Sequence, residues 1–515
     1  MTILSKQLLR AMGGGTQLPL RSAAATNFAN RASTAVATNG ATTVDVYNRV
    51  FFVIGATVPD IVLGIQNSFL AANSGVTVPG NGFTITAMSI EIGSVTTPVL
   101  FSGSRSASVA NGQNLLSDPV SPAAFSLANF PQGQSGWVRY QFTFSTPATD
   151  KICNSVNLSS NDSSFRFANG KVNVTNGVDG VGAFAYTMIN GGVNGTDAVS
   201  NAGYLRPIIL GRHTQSAIGL WGDSKTQGVG DTPNATGAQG MGRTLYPSAA
   251  STTGAKPGIN FGCSGGVAND CLVAVGAASL SMLTDWYQYL THAVVGYGTN
   301  GSSTTTQTNL WAQIRTKGVQ KIIQRSLTPR TTIPNTSITQ LTRVGTAVTG
   351  TMTSTAGITS GNQYQISGAV PSQYNGVFAI TVVDATTFTY TALTTPGTSP
   401  ATGTIVMNTG WADVASQTPV AGWAFGGAID TFEAFLRAAP TTDPDMTYYQ
   451  SQGERQATSG ANYWIWKATG VPLRETADGI HESASGYEDN ITTGTATTQA
   501  GGTVSASLRS IVQAL

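Results

Sequence analysis

The chain has 515 residues, enough for two to four domains, yet only 10% of them are charged, against about 25% in an ordinary soluble domain. Its net charge is +2 and its Lys and Arg are scattered, with no basic run of the kind that neutralises phosphates, so nucleic-acid binding is not expected. No stretch of about 18 apolar residues occurs, so no helical membrane span is expected, and the first residues lack the apolar segment of a conventional secretory signal.

With 41% hydrophobic residues and 60 glycines, the polar surface is left to Ser, Thr, Asn, Gln and Gly. That composition suits β-rich architecture with many turns, and an extracellular or virion setting better than the cytosol. Of the three cysteines, Cys263 and Cys271 are close enough in sequence to bridge, or to sit as small buried thiols. The three histidines are His213, His292 and His481, too few for a histidine-rich metal site; no cofactor-binding or metal-ligating residue is expected.

In chain order, residues 1–40 are rich in Ala, Ser, Thr and Asn without periodicity and read as an extended arm or anchor. Residues 41–202 carry strand signals: Val138, Tyr140, Phe142 and Phe144 alternate with Arg139, Gln141, Thr143 and Ser145, the period of a half-buried strand. Apolar runs at 50–54 and 83–92, with turn clusters at 79–82 and 190–192, extend the pattern and predict a β-sandwich of jelly-roll type. From 203 the texture changes. Short apolar runs at 218–221 and 293–297, an amphipathic helix over 305–316 and a further strand at 319–325 predict a parallel sheet covered by helices. Residues 335–408 lose almost all charge, turn Thr/Ser/Gly-rich and read as a small inserted β-domain. Helical texture returns at 429–438, and 504–515 reads as a closing helix. The second domain is therefore discontinuous, 203–334 joined to 409–515, an arrangement that a surface-loop insertion tolerates.

The chemistry lies in four ordered segments: Gly222-Asp223-Ser224, Asn260-Phe261-Gly262-Cys263-Ser264-Gly265, Gly298-Thr299-Asn300 and Asp478-Gly479-Ile480-His481. Ser224 follows a predicted strand, which places its hydroxyl at the carboxyl rim of the sheet, but a serine hydroxyl attacks poorly until a base takes its proton. His481 is the best base, because neutral imidazole accepts a proton at neutral pH. Asp478 can accept from the other ring nitrogen, fix the tautomer and stabilise the imidazolium. His213, in a loop before the strand, is the alternative base, and His292 reads as structural. Candidate donors to an oxyanion are the backbone N–H groups of Ser224 and Gly265 and the side-chain amide of Asn300. The glycine-rich run at 237–242 has neither a preceding strand nor a following Lys-Ser/Thr and is no nucleotide loop.

These segments resemble blocks I, II, III and V of the SGNH (GDSL-like) hydrolases over about 240 residues. The resemblance implies Ser224 as nucleophile, Ser224, Gly265 and Asn300 as the oxyanion hole, and Asp478 with His481 completing a triad. It also implies an α/β domain with a flavodoxin-like three-layer α/β/α fold. The chain departs from the family at Gly301, where the third block usually has Asp. Within the insert, Ile366-Ser367-Gly368-Ala369-Val370-Pro371, Tyr374-Asn375-Gly376, Thr387-Phe388-Thr389-Tyr390 and Ala401-Thr402-Gly403-Thr404-Ile405 resemble a Thr-rich module found in phage structural proteins. The function expected is a serine esterase of a phage particle that removes acetyl or other small acyl groups from surface polysaccharide. Other virion proteins are the expected partners, and a homotrimer follows by analogy with phage tail proteins. The alternatives are a virion structural or receptor-binding protein, and a lipase or thioesterase.

Overall fold

Antiparallel strands dominate the first third of the chain, and two sheets share its main core, one of them built on ten-residue strands. The computed structural model describes residues 18–27, 31–34, 44–71, 76–79, 82–144, 151–155, 163–168, 203–204, 207–229, 231, 236, 238–272, 283–332, 335–408, 417–467, 475–476, 480–498 and 503–515. One sheet runs in the order Ala107–Val109, Phe83–Ile92, Ser135–Phe144, Val44–Val53, Ser163–Ala168, with Val95–Pro98 beside the second of these. The other runs in the order Leu20–Ser22, Ile208–Arg212, Val62–Ile65, Leu115–Leu116. Val138, Tyr140 and Phe142 point into a core that also takes Val50, Phe52, Leu63, Ile65 and Ile209 from both sheets. The alternation is broken at Arg139, which is buried too. Its guanidinium donates from Nε to Glu91 Oε2 at 2.6 Å, so the charge is paired rather than stranded.

Two boundaries differ from the reading of the sequence. The N-terminal stretch is no free arm over its described part: Leu20–Ser22 pairs with Ile208–Arg212, and Ala25–Asn27 joins a different sheet. Ile208–Arg212, assigned by its texture to the second domain, lies between Leu20–Ser22 and Val62–Ile65. Strand partners are chosen by non-local pairing, which neither a three-residue strand nor a fully buried apolar run reveals in isolation.

The sheet that leads into Ser224 has eight described strands: β1 (Ala25–Asn27), β2 (Ile218–Gly222), β3 (Gly258–Asn260), β4 (His292–Gly296), β5 (Lys321–Arg325), β6 (Met446–Ser451), β7 (Gly494–Thr497) and β8 (Thr503–Ser505). Their order is β1-β3-β2-β4-β5-β6-β7-β8. Pairing is parallel from β1 to β6 and antiparallel from β6 to β8. Every residue of β2 is buried, as expected of a parallel strand covered on both faces. The chain leaves β2 for β3 on one side and then crosses to β4 on the other, so the direction of winding reverses at the carboxyl end of β2. Such a switch point opens a crevice.

Among the described residues the α-helices named here are α1 (Ser224–Gln227), α2 (Thr304–Thr316), α3 (Ala428–Thr442), α4 (Ala484–Thr492) and α5 (Leu508–Ala514). In α2 the Ser303 hydroxyl caps the first turn by accepting from Thr306 N–H, and Gln307, Leu310, Trp311 and Ile314 form the buried stripe. Trp311 stacks on Phe435 of α3 at 5.6 Å between ring centroids. One core joins Trp221 and Val295 to Leu310, Ile314, Phe432 and Leu436, and another joins Leu220, Val294 and Tyr449 to Ile491, Leu508 and Val512.

The expected fold class, α/β with a flavodoxin-like three-layer α/β/α domain, is overturned. Strands make up 37% of the structure and helices 21%. Among the described residues six of the seven sheets are wholly antiparallel, and the seventh ends in an antiparallel edge. The physical reason lies in the composition. A chain this rich in alternating Thr, Val and Gly buries its apolar residues on pleated faces, and among the described helices α2 and α3 alone exceed ten residues.

Residues 335–408 form a separate seven-stranded antiparallel sheet, in the order Gly376–Ala379, Gln363–Ser367, Val406–Asn408, Asn335–Val344, Ala347–Met352, Thr387–Thr391, Thr381–Val382. It has its own core of Ile338, Leu341, Tyr364, Ile366, Phe378, Phe388 and Met407. Asn335 lies opposite Asn408, so the sheet enters and leaves at one place. Among the described residues no helix is long and apolar enough to cross a membrane.

Candidate active site

Ser224 begins α1 immediately beyond the carboxyl end of β2 and is only 4% exposed. The turn is forced by its neighbours. A Cβ at Gly222 would collide with Thr226 Oγ1, Asp223 Oδ1 caps α1 by accepting from Lys225 N–H at 3.0 Å, and Gly228 at φ +99° ends it. Gly228 N–H donates back to the Ser224 carbonyl at 2.9 Å. Ser224 is thus held by a single tight helical turn.

His481 Nε2 lies 3.0 Å from Ser224 Oγ, although the two residues are 257 positions apart. With the hydroxyl donating, Nε2 is the acceptor and the ring proton sits on Nδ1, the tautomer that general-base action needs. The loop bearing His481 is closed at its base by an antiparallel bridge between Thr476 and Glu482 and by Ser483 N–H donating to the Glu475 carbonyl at 2.9 Å. Tyr487 of α4 donates to the Val229 carbonyl at 3.1 Å, which ties the histidine's side of the site to the loop after the serine. Asp478 lies outside the described residues.

The other two histidines are placed elsewhere. His213 is buried with Nε2 2.7 Å from the Ser22 carbonyl oxygen, and burial lowers its pKa. His292 stands at the start of β4 with Nδ1 2.8 Å from Thr291 Oγ1, and burial together with Lys321 pulls its pKa down to about 4.

The oxyanion candidates converge on the same end of the sheet. Asn260, at the end of β3, donates from Nδ2 to the Thr226 carbonyl at 3.1 Å and accepts Gly262 N–H on Oδ1 at 2.9 Å. Cys263 N–H donates to the Gly222 carbonyl at 3.0 Å, and Ser264 N–H donates to Gln227 Oε1 at 2.6 Å. These bonds pin the loop carrying Gly265, whose φ of +76° suits glycine. Asn300, beyond β4, is exposed and donates from Nδ2 to the Gly266 carbonyl at 3.2 Å. That bond uses one of the two amide hydrogens and fixes the orientation of the other. At Gly301, where the resemblance departs, an added Cβ would lie 3.2 Å from Val267 Cγ1, and the Gly266 carbonyl holds the Asn300 amide.

Several contributors have no motif. Lys225, next to the nucleophile, is 2% exposed; its ammonium donates to Thr328 Oγ1 and, at 3.3 Å, to the Pro329 carbonyl, and faces the rings of Trp466 at 5.3 Å and Trp423 at 5.9 Å. Burial pushes its pKa down, while Glu482 and Asp223 oppose that shift. Arg330 donates to the Thr299 carbonyl at 3.3 Å. No hydrophobic period or short motif encodes such contacts; the signal available was only an unusual run of polar residues after a buried strand. Cys263 and Cys271 are buried thiols in no disulfide, and burial pushes Cys271 up to about 12. Among the described residues no group of three or more His, Cys, Asp or Glu side chains is arranged to hold a metal ion. No family model matches the chain, and no curated protein matches it.

Proposed function

We propose that the protein is a serine esterase with an SGNH-like catalytic set, acting on acetyl or other small acyl esters of surface polysaccharide as part of a phage particle. The observation that carries the catalytic reading is the 3.0 Å approach of His481 Nε2 to Ser224 Oγ at the switch point of a parallel sheet. The Thr-rich, charge-poor insert supports the particle setting, and acylated glycan is the ester that such a particle meets at a bacterial surface.

In this reading Ser224 Oγ attacks the ester carbonyl while His481 Nε2 takes its proton. The carbonyl oxygen becomes an oxyanion facing the Ser224 and Gly265 N–H groups and the Asn300 amide. Collapse breaks the bond to the sugar oxygen, which leaves with the proton from His481. Water, deprotonated by the same imidazole, then attacks the acyl-serine and releases the carboxylic acid. Asp478 is assigned the orienting carboxylate by its place in the fourth segment. The test is acetate release from an O-acetylated bacterial polysaccharide. Wild-type protein is expected to release acetate and Ser224→Ala to release none; equal release by both would discard the reading.

A further inference from the structure

We propose that Gln227 is a positioning residue that joins the nucleophile and the oxyanion donor into one rigid unit, an inference that rests on the esterase reading above. Gln227 ends the helical turn that Ser224 begins, and its side chain is 5% exposed. Its Oε1 accepts Ser264 N–H at 2.6 Å, a short tie between α1 and the loop bearing Gly265. The next peptide N–H along the chain is that of Gly265, the candidate oxyanion donor. The position of that donor is therefore set from the nucleophile's own turn, over a span of three residues.

The surroundings leave the contact little slack. A Cβ at Gly262 would collide with Gln227 N, so the loop and α1 are packed backbone to backbone. Asn260 Nδ2 holds the Thr226 carbonyl at 3.1 Å, one residue before Gln227, and the Asn300 amide holds the Gly266 carbonyl at 3.2 Å, one residue after Gly265. Gln227 supplies the side-chain link from α1: Cys263 N–H on the Gly222 carbonyl and Gly266 N–H on the Cys263 carbonyl close the turn around Gly265, and the Gln227 acceptor sets the Ser264 peptide within it. Because the oxyanion exists only in the tetrahedral state, misplacing its donor weakens the transition state and leaves ground-state binding alone.

The experiment is Gln227→Met, which keeps side-chain length and removes the acceptor, measured on a short acyl ester beside wild type and Ser224→Ala. We expect kcat to fall about 10- to 100-fold, as for a displacement of order 1 Å, with KM unchanged. Affinity for a boronic acid that forms a tetrahedral adduct on Ser224 should fall by the same factor. Unchanged kcat with wild-type activity intact overturns the role of Gln227 alone, as does a rise in KM with kcat held. Wild-type protein no more active than Ser224→Ala overturns the esterase reading and this inference with it. Should the variant not fold, amide hydrogen exchange in the wild-type protein decides: Ser264 N–H is expected to be protected, and exchange at the rate of a free amide overturns the contact.

Discussion

At the scale of single residues, the site is a set of short ties between segments that are distant in sequence. Ser224 and His481 meet across 257 positions, and Asn260, Gln227 and Asn300 lace three loops together through backbone partners. The pairing of Ser224 with His481 was legible in residue identity and order, because a hydroxyl nucleophile needs a base and histidine is scarce, and the structure places the two side chains 3.0 Å apart. Lys225 and Gln227 were not legible in this way. Their work is done through carbonyls and N–H groups whose positions only the folded backbone defines. The histidine assignment makes a discriminating prediction. His481→Ala should lower kcat on a short ester by roughly three or more orders of magnitude, whereas His213→Ala, whose ring bonds the Ser22 carbonyl, should leave kcat within a few-fold of wild type. The opposite pattern in steady-state kinetics would reassign the base.

At the scale of elements, apolar runs bounded by Gly identified β2 and β4, and the buried stripe of Leu310, Trp311 and Ile314 identified α2. These signals are local: a strand buried on both faces and an amphipathic helix each write their environment into their own residues. β1 wrote nothing, since Ala-Thr-Asn has no period, and its parallel pairing with β3 is decided by partners more than 200 residues away. The same limitation hid the pairing of Ile208–Arg212 with Val62–Ile65. The insert is different, because its composition departs from that of its neighbours and its core is its own. Asn335 and Asn408 are register partners at its neck, so a short linker can close the gap at small entropic cost. Replacing 335–408 by such a linker is expected to leave a folded protein whose kcat on p-nitrophenyl acetate stays within a few-fold of wild type. A loss as large as that of Ser224→Ala, with the fold retained by circular dichroism, would show that the insert completes the site.

Across the whole molecule, the fold class was the expectation that failed. A parallel sheet with a switch point beside Ser224 is present, but among the described residues it is one sheet of seven in a mostly β structure. Short motifs report the geometry around a nucleophile; they do not report what the remaining residues build. Global stability carries a mark of the loop that bears His481. The Glu475 carboxyl at the base of that loop is pushed up to about 9 by burial, with Asp489 and Glu454 adding to the shift. In the unfolded chain it titrates at about 4.3, so between those values the folded protein binds the extra proton. Its contribution is fully present below about pH 4.3 and is lost as pH rises toward 9. The advantage of Glu475→Gln over wild type in unfolding midpoint should therefore grow between pH 6 and pH 8.5; parallel curves would contradict the shift.

The central claim, that Ser224 is a nucleophile activated by His481, is tested most directly by labelling with a fluorophosphonate and mapping the adduct by peptide mass spectrometry. One adduct per chain, located on Ser224 and lost in both Ser224→Ala and His481→Ala, is the result this account requires. No adduct on the wild-type protein, or an adduct that persists in Ser224→Ala, contradicts it.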